Sequence, residues 1–115
     1  MEEWTNPKYL EKLKSKSYDI CIDARESKAG VESLLRQRER LKSKLFIEYR
    51  QQCSSDKLAE NMAKADYKLE ELDKKIDLAD EQMARNWGIK EAHLLECEIV
   101  RSQIATRREE LKNGV

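Results

Sequence analysis

Apolar side chains recur along this chain at intervals of three and four, the spacing of a helix that buries one face. Tyr9, Leu10, Leu13, Ser17, Ile20 and Ala24 form the first such series. It opens at Asn6-Pro7, a capping residue followed by proline at the first helical position. These features predict a helix over about 7–28, with Gly30 as a break. Val31, Leu34, Leu35, Leu41, Leu45 and Tyr49 predict a second helix over about 31–52. Cys53-Ser54-Ser55-Asp56-Lys57 reads as a turn that offers three N-cap residues.

From Leu58 the spacing becomes a strict four-three alternation through Met62, Ala65, Leu69, Leu72, Ile76, Ala79 and Met83. Such a run is the mark of a coiled coil or a long helical hairpin. The same register then reaches Asn86, Lys90, His93, Cys97, Val100, Ile104, Arg107 and Leu111, polar for one heptad and then apolar again. Trp87, Leu94 and Leu95 fall off this seam and make a second apolar face. Two readings fit the Trp87-Gly88 step. Gly88 could end a helix over about 56–86 and open another over about 89–112, or one long bent helix could change partners there, at a cost of about 1 kcal/mol for the glycine. Asn113-Gly114 reads as a C-cap. The expected fold is all-α, a single domain of long helices forming a helical hairpin or coiled-coil bundle.

Composition sharpens this picture. The chain has 115 residues, 40% of them charged and 39% hydrophobic. A chain this short and polar buries little apolar surface alone, so a homo-oligomer is expected. Formal net charge is zero, so attraction to a polyanion must come from a local patch. No apolar run is long enough to cross a bilayer, so no membrane partner is expected. The acidic opening MEEWTNPKYL lacks the apolar core of a signal peptide. Cys21, Cys53 and Cys97 are odd in number and form no CxxC, which suggests free thiols in a cytoplasmic setting.

Catalytic chemistry finds little support. His93, the single histidine, sits on the helical seam, where a packed histidine is expected rather than a ligand or general base. Three scattered glycines cannot cradle a phosphate. No metal site, cofactor or enzymatic activity is expected.

Charge is unevenly distributed. Residues 36–50 hold Arg36, Arg38, Arg40, Lys42, Lys44 and Arg50 against Glu39 and Glu48. Residues 56–81 hold nine acids and five lysines. On an ideal helix Arg36, Arg40 and Lys44 form one outward stripe, while Arg38 and Lys42 lie within the apolar arc. A cation in that arc must snorkel, pair with an acid, or face a space that admits an anion. Phe46 and Tyr49 stand nearby as candidates to stack on bases, although core packing is the simpler role for Phe46.

Leu41-Lys42-Ser43-Lys44-Leu45, followed by Tyr49, resembles the basic element of the UvsY family, the recombination mediators of T-even phages. Further similarity follows in order: Ala65-Asp66, Leu69 to Asp73 with Ile76, Trp87-Gly88, and Arg101-Ser102 with Ile104 and Arg107. It spans roughly residues 35–110. The resemblance implies a helical homo-oligomer that binds single-stranded DNA and helps load a RecA-like recombinase onto strands coated with single-strand-binding protein, in DNA recombination and repair within a bacterial host. It implies that Lys42 and Lys44 touch the nucleic acid, with Arg36, Arg38, Arg40, Arg50 and Tyr49 around them. It implies that the C-terminal helix serves assembly, with Trp87, Leu94, Leu95, Cys97, Val100, Ile104 and Leu111 as its contact residues.

Two other functions fit the residues. A coiled-coil scaffold without nucleic-acid binding needs only the seam, with the cations of the second helix neutralised by the acids of the third. An acidic mimic of DNA, inhibiting a nuclease, would use residues 56–81.

Overall fold

The computed structural model describes residues 6–114, and the reading of the acidic opening at 1–5 lies outside them. The described residues form three α-helices and no strand: α1 (Pro7–Arg50), α2 (Asp56–Lys64) and α3 (Tyr67–Lys112). The described residues pack as two compact units, one of residues 6–25 and 85–114, the other of residues 26–84. The protein is all-α, and α1 pairs with α3 within each of its compact units.

The helix boundaries follow from local chemistry. Asn6 Oδ1 accepts from Lys8 N at 2.9 Å, capping α1, and Pro7 needs no donor partner at the first turn. Ser55 caps α2, its hydroxyl accepting from Leu58 N at 3.2 Å. Asp66 caps α3, with Oδ1 accepting from Lys68 N at 2.9 Å. At the far end Gly114 adopts φ +73°, the left-handed cap that glycine takes without strain.

The expected break at Gly30 does not occur. A continuous four-three seam runs along α1 through Leu13, Ser17, Ile20, Ala24, Ser27, Val31, Leu34, Arg38, Leu41 and Leu45, all buried or half-buried. Ser27 carries the register across the supposed gap. Gly30 points outward, where an added Cβ would meet nothing within 4 Å. Gly88 is likewise exposed inside a continuous helix, so the helix expected over 56–86 and that over 89–112 are not separate there. From Leu69 to Ile104 every expected seam position of α3 is buried or half-buried.

A different break was not foreseen. The chain turns at Ala65-Asp66, so the heptad run from Leu58 is cut after Lys64. On α2 the buried side chains are Ala59 and Ala63, while Leu58 and Met62 are exposed. Small residues let this short helix lie close against the core of its unit. That core is Leu45, Ala63 and Leu69, with Leu41 and Tyr49 packed against it.

Candidate nucleic-acid interface

The cations of residues 36–50 divide into a paired and an unpaired group. Arg38 occupies a seam position and meets α3, its Nε donating to Asp73 Oδ1 at 2.6 Å. Glu39 Oε1 lies 3.7 Å from its Nη1. The hydrogen bond to Asp73, aided by the charges of Asp73 and Glu39 and opposed by partial burial, holds the guanidinium above its ordinary pKa. Arg50 closes the corner after α1, with Nε donating to Asp56 Oδ1 at 2.5 Å and Nη1 to the Cys53 carbonyl at 2.7 Å. Both arginines therefore serve the fold.

Tyr49 is committed as well. Its ring packs on the core of Leu45, Ala63 and Leu69, and its hydroxyl donates to Asp66 Oδ2 at 2.6 Å. Its ring and its hydroxyl are thus both engaged within the fold.

Arg36, Arg40, Lys42 and Lys44 form no ion pair among the described residues. Arg36, Arg40 and Lys44 are exposed and four apart, about 6 Å per step along the axis. Lys42 is half-buried on the wall of a groove of about 420 Å³, shared with Glu39, Ser43, Phe46, Ile47, Glu60 and Ala63. The two carboxylates there are already engaged: Glu39 with Arg38, and Glu60 with Lys64 Nζ at 3.5 Å. The aromatic beside Lys42 is thus Phe46, half-buried with a face on the groove, next to exposed Ile47. An i,i+4 step from Lys42 to Phe46 was visible in the sequence, whereas the groove needed α2 to form its far wall.

The residues expected to mediate assembly separate in the same way. Val100 is buried by its own chain, and Cys97 and Ile104 are half-buried. Trp87, Leu94, Leu95 and Leu111 remain exposed. Trp87 Nε1 donates to Glu91 Oε1 at 2.9 Å, and Lys90 Nζ lies 4.6 Å from the indole centroid.

No known protein family, curated protein or solved structure matches the chain. Among the described residues no cluster of three histidine, cysteine or acidic side chains could hold a metal ion. No described helix is long and apolar enough to cross a membrane.

Proposed function

We propose that the protein binds single-stranded nucleic acid along the second half of α1 and acts as a recombination mediator. The observation that carries this reading is the set of four cations, Arg36, Arg40, Lys42 and Lys44, left without carboxylate partners in the stretch 36–50, whose other two cations are paired. Unpaired cations are free to replace the counterions of a phosphate backbone, and that release drives binding regardless of sequence. Phe46 and Ile47 add an apolar surface beside Lys42 against which a base can stack.

One such patch is weak. Assembly through the exposed Trp87, Leu94, Leu95 and Leu111 would set several patches on one strand and raise their joint affinity by effective concentration. In that form the protein can grip a strand while single-strand-binding protein leaves and a RecA-like recombinase arrives. This step relies on the UvsY resemblance.

Fluorescence anisotropy of labelled oligo-dT tests the binding. The expected result is sequence-tolerant binding that Lys42→Ala with Lys44→Ala weakens by about tenfold or more, each lost phosphate contact acting through counterion release, while circular dichroism stays unchanged. Absence of binding at low salt, or equal binding by the double variant, would sink the proposal. Recombinase assembly on strands precoated with single-strand-binding protein then tests the mediator role.

The Arg38–Asp73 and Arg50–Asp56 pairs favour a second reading, a helical scaffold whose charges serve its own packing. On that reading oligonucleotides do not bind, and a protein partner covers the exposed apolar face of α3.

A further inference from the structure

Away from the basic patch, α3 places three reactive side chains within one turn. His93 and Cys97 are four apart on the seam, and Glu96 lies between them in sequence. Cys97 Sγ is 3.5 Å from His93 Nε2. His93 Nδ1, on the other side of the ring, is 3.7 Å from Glu96 Oε2. Ser17 of α1 completes the cluster: its hydroxyl contacts His93 Nε2 closely, lies 3.8 Å from Cys97 Sγ, and donates to the Leu13 carbonyl at 2.9 Å. Glu96 is itself held by Lys16 Nζ and the Tyr9 hydroxyl, each at 3.5 Å. The order thiol, imidazole, carboxylate is that of an activated cysteine nucleophile with its base and the group that orients the base.

Two further observations set Cys97 apart from the other cysteines. His93 is only 3% exposed, and its Nδ1 has no hydrogen-bond partner although it faces a carboxylate. A buried polar atom left unsatisfied is rare and calls for a cause. Here the ring stands with one nitrogen toward the Glu96 carboxylate and the other toward the Cys97 thiol, the placement of an oriented base. Second, Cys97 opens onto a cleft of about 330 Å³, whose other walls are Val100, Arg101, Ile104, Ala105 and Arg108. The cleft thus pairs a thiol with two exposed guanidinium groups, which suit a ligand bearing carboxylates.

We propose that Cys97 is a site of reversible thiolation by a small acidic disulfide of the glutathione type. With the ring in its Nδ1–H form, Nδ1 toward Glu96, the lone pair of Nε2 takes the Cys97 thiol proton as Sγ attacks one sulfur of the disulfide, and the new Nε2–H is donated to Ser17 Oγ. The S–S bond breaks, a new bond joins Sγ to that sulfur, and the departing thiolate takes the proton back from the imidazolium. One disulfide is consumed, and one mixed disulfide and one free thiol are formed, with no net oxidant beyond the disulfide. Arg101 and Arg108 hold the carboxylates of the incoming molecule. Cys21 is exposed but has no polar partner, and the Cys53 thiol faces the Met62 sulfur at 3.3 Å, so neither has a base at hand.

The test uses the reduced full-length protein and glutathione disulfide, with peptide mass spectrometry reporting each cysteine separately. Cys97 is expected to gain a glutathionyl group about tenfold faster than the more exposed Cys21 or faster still, since access alone favours Cys21 and thiol activation favours Cys97. Glu96→Gln is expected to slow the reaction at Cys97 and leave Cys21 unchanged. Arg101→Ala with Arg108→Ala is expected to slow the reaction with glutathione disulfide but not with the uncharged bis(2-hydroxyethyl) disulfide. These are exposed or half-exposed positions, so the variants keep the fold where a His93 substitution risks losing it. If Cys21 keeps pace with Cys97, or the arginine variant leaves the preference for the acidic disulfide unchanged, the proposal is wrong.

Discussion

The Tyr49 hydroxyl donates to Asp66 Oδ2 at 2.6 Å, joining the last turn of α1 to the residue that caps α3. Asp66 is thus shared between two elements, one oxygen on the Lys68 backbone and the other on Tyr49. The bond holds the Asp66 carboxyl below the usual carboxylate range, with help from Lys68 N. It also holds the Tyr49 phenol above its ordinary value, with burial and the Asp66 charge adding to the shift.

These opposite shifts make the contact pH-sensitive at both ends. Asp66 has a depressed folded pKa, so its contribution is present above the unfolded carboxylate pKa and fades as pH falls through the folded value. Tyr49 has a raised folded pKa, so its contribution is present below the unfolded phenol pKa and fades as pH rises through the folded value. Tyr49→Phe is expected to lower Tm by a constant amount across the neutral range, with the gap to wild type narrowing in acid and in strong base. Thermal melts of both proteins across pH check this. A gap that is independent of pH would remove the bond from any role in stability.

Leu45 is 1% exposed at the centre of its unit, while Leu35 on the same helix is 45% exposed. Leu45→Ala is expected to cost about 2–5 kcal/mol, because both the transfer energy and the cavity count against the fold. Leu35→Ala is expected to stay within about 0.5 kcal/mol. Urea denaturation of the two variants separates them.

Gly30 and Gly88 lie within continuous helices, and a Cβ at either would meet nothing within 4 Å. Gly30→Ala and Gly88→Ala are each expected to stabilise the protein by roughly 0.5–1 kcal/mol, by restricting the unfolded chain and improving helix propensity. A loss of stability at Gly30 would show that the helix needs to bend there.

If Arg36, Arg40, Lys42 and Lys44 all contact phosphates, binding of a single strand should fall with salt at a log-log slope of about −3 per subunit. Arg38→Ala, which removes a cation already paired with Asp73, should leave the slope unchanged. Titrations of oligo-dT across a salt series measure both.

Much of α3 was readable in advance. Its four-three alternation holds from Leu69 to Ile104, and even the polar steps at Asn86, Lys90 and His93 keep to the seam. On α1 the same alternation was hidden, since Ser27 and Arg38 occupy seam positions where apolar side chains are the usual guide. Gly30 reads as a break in the sequence although it faces outward. The turn at Ala65-Asp66 is masked for the opposite reason. Leu58 and Met62 stay in phase with Leu69 across it, so periodicity alone reported one helix where capping by Asp66 makes two. The basic stretch was visible as charge, and the angle of Arg38 already placed it in the apolar arc. Which cations find acids depended on Asp73 of α3 for Arg38 and on the corner into α2 for Arg50, and neither placement is given by charge alone. The approach of Ser17 to His93, 76 residues away in sequence, needed the pairing register of α1 with α3.

The corner that carries α1 into α2 and α3 is small: the Ser55 cap, the Arg50–Asp56 pair and the Tyr49–Asp66 bond. Heptad seams are indifferent to whether their two sides come from one chain or two. Loosening that corner would therefore let α1 of one molecule take up its partner segments from another, an exchanged dimer with every seam contact intact. A few hydrogen bonds at the turn, and not the long interface they close, decide whether this sequence folds back on itself.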